Sequence, residues 1–106
     1  MSYDISLYVD GGAGNGICAF DRNYTSNVAP MWRTAGADLA EMDGMPAWRA
    51  VDRITAAIEM MRAYPDDYRK MNPDNGWGSY EGCLQLLYDI KDACEKYPRA
   101  WLSVSW

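Results

Sequence analysis

The sequence contains no histidine. That absence removes the side chain that titrates nearest neutral pH. With it go every Ser-His or Cys-His nucleophile and the commonest nitrogen ligand for metals. Cysteine is scarce as well: Cys18, Cys83 and Cys94 form no CxxC pair and leave one residue over. Cys83 and Cys94 are eleven positions apart, about three helical turns, which is too far along one helix face for a disulfide. All three are expected as reduced core residues of a cytosolic protein, with no cationic neighbour to stabilise a thiolate.

No apolar run approaches the length of a membrane span, so none is expected. Met1 leads straight into an alternating segment containing Asp4, and no signal peptide is expected. Without secretion the sequon Asn23-Tyr24-Thr25 carries no glycan. A basic cluster is missing too. The ten Lys and Arg are scattered, with only Arg69 and Lys70 adjacent, and the net charge is −5. Direct nucleic-acid binding needs a cationic face to displace counterions, so it is not expected. The acidic residues are equally dispersed, which argues against mimicry of nucleic acid.

The remaining chemistry would have to come from carboxylates. Asp38, Glu41, Asp43, Asp66, Asp67 and Asp74 fit solvated loop and cap positions, and none suggests an acid held in an apolar pocket. Calcium-loop spacing is not met around Gly44 or Gly76. GGAGNG, residues 11–16, precedes a strand rather than a helix and lacks a following Lys-Ser/Thr, so it reads as a hairpin turn and not a phosphate cradle. No cofactor or metal site is expected, and a carboxylate-dependent hydrolase is the weakest of the functional readings.

What is present is ordinary globular composition with an excess of large side chains. The 106 residues give room for one domain; 49% are hydrophobic and 24% charged, with five Trp, eight Tyr and seven Met. Residues 2–10 alternate, with Tyr3, Ile5, Leu7 and Val9 on one side and Ser2, Asp4, Ser6, Tyr8 and Asp10 on the other, which predicts a half-buried strand. Residues 17–25 predict its hairpin partner. Residues 26–45 read as irregular, with one short turn around 38–42. Pro46 suits the first position of a helix whose stripe is Trp48, Val51, Ile54, Thr55, Ile58 and Met61, ending at Tyr64 before Pro65.

A short helix is predicted from residue 65. A final helix follows, capped by Gly78 or Ser79, with Cys83, Leu84, Leu87, Ile90, Cys94 and Tyr97 buried. Residues 100–106 alternate again and close the sheet beside the first strand. The expected fold is α+β, in the order β-β-α-α-β: a small, mainly antiparallel sheet with two main helices packed on one face.

Two segments stand out. NYTSNVAPMW, residues 23–32, alternates Asn23, Thr25 and Asn27. Those side chains either bond nearby backbone and organise the exit from the strand, or line one side of an extended segment facing a ligand, with Trp32 as a flat apolar surface. PDNGWGSYEG, residues 73–82, sets Trp77 between Gly76 and Gly78. Trp77 either folds beneath the loop or projects as an anchor, with Asn75 and Tyr80 beside it. If the two loops meet, a polar-aromatic pocket results, and the helix N-terminus after Ser79 would add N–H donors suited to an anionic group.

MSYDISLYVD, NYTSNVAPMW, NPDNGWGSYEG and the closing VSW together resemble an uncharacterised family of small proteins encoded by bacteriophages and prophages, particularly those of actinobacteria. The resemblance covers most of the chain, with residues 11–22 and 33–55 the least distinctive. The pattern Asn23-x-Thr25-x-Asn27, followed by Pro30 and an aromatic, also resembles a segment of other small prophage-type proteins. The family implies expression in the cytoplasm of a host bacterium and brings no catalytic residues to carry over.

The expectation is therefore a non-enzymatic binding protein acting on a host or defence protein through Asn23, Thr25, Asn27, Trp32, Asn75, Trp77 and Tyr80. Sequestration of a small polar, nucleotide-like ligand is the alternative. A homodimer is open through the terminal strand ending in Trp106.

Overall fold

Period-two alternation has the consequence expected of it in the first strand. Tyr3, Ile5 and Leu7 are buried, while Ser2, Asp4 and Asp10 are exposed. The computed structural model describes residues 1–12 and 16–106. The turn expected over residues 11–16 falls largely on 13–15, outside the described residues. Strand β1 (Ser2–Asp10) is central, flanked by β2 (Gly16–Thr25) and β3 (Trp101–Ser105), both antiparallel to it. The fold is α+β, and the first and last strands are neighbours as expected.

The register fixes two faces. Tyr3 lies opposite Tyr24, Leu7 opposite Phe20 and, on the other side, Ile5 opposite Val104 and Leu7 opposite Leu102. These positions turn towards the helices. The β1–β2 pairing shifts between Leu7 and Tyr8, so Tyr8 meets Cys18 and Ala19 is the extra residue of a bulge. Cys18 therefore shares the outward side of Tyr8 and is exposed, which corrects its expected place in the core.

Among the described residues four helices pack on the inner face: α1 (Ala29–Thr34), α2 (Ala47–Ala63), α3 (Pro65–Arg69) and α4 (Tyr80–Lys96). Helix α1 was not expected. The strand ends at Thr25, whose Oγ1 accepts from Asn27 N (3.3 Å) and caps a 3-10 turn over Ser26–Val28. Pro30 then sits in the first turn of α1, where its missing N–H costs nothing. Asp38 caps a second 3-10 turn, Leu39–Met42, at the place where a short turn was expected.

In α2 the buried stripe is Ala47, Ala50, Ile54, Ala57, Ile58 and Met61. Trp48, expected to be buried, is 61% exposed. Three alanines on the inner side let α2 approach α4 and β3 closely, and a Trp there would hold them apart. Pro46 is the extended residue before the helix rather than its first position, and it bridges to Trp101. Helix α4 starts on Ser79, whose Oγ accepts from Gly82 N (3.0 Å). Its buried side runs Tyr80, Cys83, Leu86, Leu87, Ile90, Ala93 and Cys94.

The outer edge of β3 is closed. Gly44 N donates to Leu102 O (2.7 Å), Leu102 N donates to Met45 O (2.8 Å), and Asp43 Oδ1 accepts from Val104 N (2.9 Å). The Leu102 backbone and the Val104 N–H are therefore not available for the expected pairing of the terminal strand across a dimer. No helix of the described residues is long and apolar enough to cross a membrane.

Burial separates the cysteines. It pushes the Cys83 thiol up to about 12, and burial followed by the negative charge of Glu95 raises Cys94 to about 11. Native protein should therefore react with a thiol-disulfide reagent at pH 8 at Cys18 alone, and at all three cysteines in denaturant. Two fast-reacting thiols in the native state would contradict this burial. Both buried thiols deprotonate later when folded than when unfolded. The stability they lend is thus complete below about pH 9 and falls as pH rises towards 11 and 12. Urea unfolding across that range checks the slope.

Candidate functional site

The site begins with a close fit between the end of β2 and the start of α4. Tyr24 points inward from β2, and its hydroxyl accepts from Ser79 N (3.3 Å). A Cβ placed on Gly82 would fall 2.0 Å from that hydroxyl, so any other residue there would displace the Tyr24 ring from the first turn of α4. Gly78 lies against the same strand end. Its Cβ would lie 2.6 Å from Thr25 Cγ2 and 2.7 Å from Val28 Cγ1, and its φ of +96° is one that L side chains rarely adopt. Two glycines four positions apart thus pin residues 75–79 onto residues 24–28.

That pinning brings the two loops together. Asn23, Thr25 and Asn27 from one segment, and Asn75 and Trp77 from the other, line a single concavity of about 670 Å³. Met1, Ser2, Tyr24 and Gly78 complete its wall. Trp77 is 69% exposed, so it projects and does not fold under the loop. Asn75 holds it there through a local turn in which Asn75 Oδ1 accepts from Trp77 N (3.0 Å).

The polar side chains are partly engaged within the chain. Asn23 Nδ2 donates to Asp4 Oδ1 (2.7 Å), Ser2 Oγ (3.1 Å) and Tyr3 O (3.3 Å). Thr25 is occupied by its cap. Asn27 reaches the concavity from the 3-10 turn, not from an extended strand, and among the described residues its side-chain amide makes no hydrogen bond. Of the alternating trio, then, Asn23 and Thr25 serve the chain's own structure, while Asn27 is free to bond outward.

Two expected binding residues belong to the core. Trp32 is fully buried, edge-on to Tyr3 with ring centroids 4.9 Å apart, because helix α1 turns it inward. Tyr80 is buried beneath α2, with its hydroxyl donating to Met61 O (2.8 Å) and Arg69 over its ring. Neither lines the concavity. Two of the α4 N-terminal donors are already engaged within the chain, since Asn72 Oδ1 accepts from Tyr80 N and Ser79 Oγ accepts from Gly82 N.

Sequence reasoning missed Ser2, Tyr24 and Gly78 as wall residues. The available signal was the pair Gly78 and Gly82 flanking a capping Ser79, which implies an element pressed against that turn. Among the described residues no group of three His, Cys, Asp or Glu side chains is placed to hold a metal ion. Comparison of the chain with protein-family models, curated proteins and solved structures finds no match.

Proposed function

We propose that the chain acts by binding another protein, without catalysis, through the concavity at residues 23–27 and 75–78. One observation carries this reading: a projecting Trp77 is held by two glycine-dependent contacts beside a wall of amide and hydroxyl groups. Exposed tryptophan is expensive to maintain in water and is a typical centre of interface energy. The wall offers amide and hydroxyl donors and acceptors, which suits recognition of polar backbone and side-chain groups. The Tyr80 and Gly82 N–H donors of α4 are engaged within the chain, which favours a protein partner over an anionic, nucleotide-like ligand in the same concavity. The resemblance to phage-encoded proteins makes a bacterial cytoplasmic protein, of the host or its defences, the partner class of this reading.

The test is affinity capture from bacterial lysate, identification of the captured protein, and its titration against wild type and Trp77→Ala. The variant should bind at least about tenfold more weakly, a loss of about 1.4 kcal/mol. Equal affinity for both chains, or no partner under conditions where control baits succeed, refutes the reading. Trp77→Ala should leave stability within about 0.5 kcal/mol, so a loss of binding would not be a loss of fold.

A further inference from the structure

The four helices cover only one side of the sheet. On the other, the outward positions of all three strands are exposed or half-buried, and none is lysine or arginine. They carry Asp4, Asp10 and Asp21 among neutral side chains. Each of these carboxylates has only a neutral partner: Asp4 accepts from Asn23 Nδ2 (2.7 Å), Asp10 from Gly12 N (2.9 Å) and Asp21 from Ser6 Oγ (3.3 Å). The ion pairs among the described residues lie elsewhere, at Arg22–Asp89, Arg33–Asp38, Arg69 with Asp66 and Glu81, and Lys91–Glu95. This face therefore presents negative charge that pairs with no cation among the described residues.

It also has an aromatic station at each end. Trp101 lies across the far end, stacked on Tyr8 at 6.1 Å with an interplanar angle of 24°. A Cβ on Gly16 would sit 3.0 Å from its ring, so the absence of a side chain there lets the indole lie flat. At the near end Ser2, Asn23 and Thr25 belong both to this face and to the concavity beside Trp77. Flat, accessible indole faces attract guanidinium and ammonium groups.

We propose that the open sheet face is the docking surface for an extended polypeptide segment rich in Arg and Lys, running between Trp101 and Trp77. The proposal rests on the binding reading above and assigns its partner's chemistry. Dimensions favour a segment over a globular domain. Nine residues of β1 span roughly 30 Å, and three strands about 10 Å, less than a standard interface requires on each side. A second copy of the chain is a poor occupant, because it would set Asp4, Asp10 and Asp21 against their own equivalents.

The test titrates the ¹⁵N-labelled full chain with a synthetic peptide of about nine residues alternating Arg and Thr, long enough to span β1. A matched peptide carrying Glu for Arg is the control. Amide shifts should appear at Asp4, Tyr8, Asp21 and Ser103 and at the Trp101 indole, with none from the Glu peptide. Asp4→Asn/Asp21→Asn should bind the Arg peptide about five- to tenfold more weakly. Should that double variant lose its native spectrum, Asp10→Asn at the strand end replaces it, with an expected loss of about twofold.

Shifts confined to the helices, equal binding of the two peptides, or unchanged affinity in the Asn variants would overturn the proposal. A response of the sheet that leaves the Trp77 indole unmoved would overturn the course to Trp77 stated here, and the concavity reading would stand or fall on its own Trp77→Ala titration. Movement of the Trp77 indole without the sheet would overturn docking on the open face and leave the concavity reading standing.

Discussion

Trp32→Ala should destabilise the protein by about 3–5 kcal/mol, the largest loss expected from any single aromatic in the chain. Trp32 is the largest of the fully buried side chains and packs edge-on to Tyr3, itself buried near the start of the central strand. Truncation leaves a cavity between α1 and β1 that a close-packed interior does not refill. Against a total stability of about 5–15 kcal/mol, that loss is a large fraction, and Tm should fall by at least about 12 °C. Thermal unfolding followed by far-UV circular dichroism measures it, and a fall under about 4 °C would place Trp32 outside the core.

Trp32→Phe is the informative companion. The indole Nε1 is buried without a hydrogen-bond partner among the described residues. Phenylalanine removes that unpaired donor, whose burial costs about 1–3 kcal/mol, while giving up some ring area. The net cost should stay below about 2 kcal/mol. A cost equal to that of alanine would mean that the N–H does find a partner, such as a buried water.

The contrast between Trp32 and Trp77 marks how far the sequence could be read. Both sit beside polar residues and local breakers, and both were candidates for a binding surface. Periodicity decided neither, because Trp32 lies in a six-residue helix too short to display a full stripe. Its burial depends on Pro30 starting a turn of helix after Thr25, a switch that a run of Asn, Thr and Ser conceals.

The strands were legible because alternation extends over nine residues in β1, and α4 because its apolar stripe continues through four turns. In α2 the stripe was misplaced by one position in its first two turns, at Trp48 and Val51, while Ile54, Ile58 and Met61 are buried as expected. The large Trp48 outweighed Ala47 and Ala50 as a hydrophobic signal, although the helix interface selects for small size. The meeting of the two loops depends on tertiary contacts at Tyr24, Gly78 and Gly82 that no local pattern encodes. Each candidate segment was visible in the sequence, and their shared wall was not.

Those contacts give the second large expected effect. Gly78→Ala should cost about 2–5 kcal/mol, whereas Gly76→Ala, two residues away, should cost about 1 kcal/mol. Both glycines have positive φ, +96° and +76°, so both substitutions carry backbone strain. Only Gly78 adds a collision. Its Cβ would meet Thr25 Cγ2 at 2.6 Å and Val28 Cγ1 at 2.7 Å, while the Gly76 Cβ would meet nothing within 4 Å.

Val28 is fully buried and has no room to withdraw, so the loop must lift. Lifting it would part Trp77 from the Asn23–Asn27 segment and open the concavity. Thr25→Ser, which deletes the colliding methyl, should therefore be less harmful in the Gly78→Ala background than in wild type. A coupling of at least about 0.5 kcal/mol is expected in a double-mutant cycle read by urea unfolding. Strict additivity of the two changes would mean that residues 24–28 and 75–79 are not in contact, and the proposed site would lose its wall.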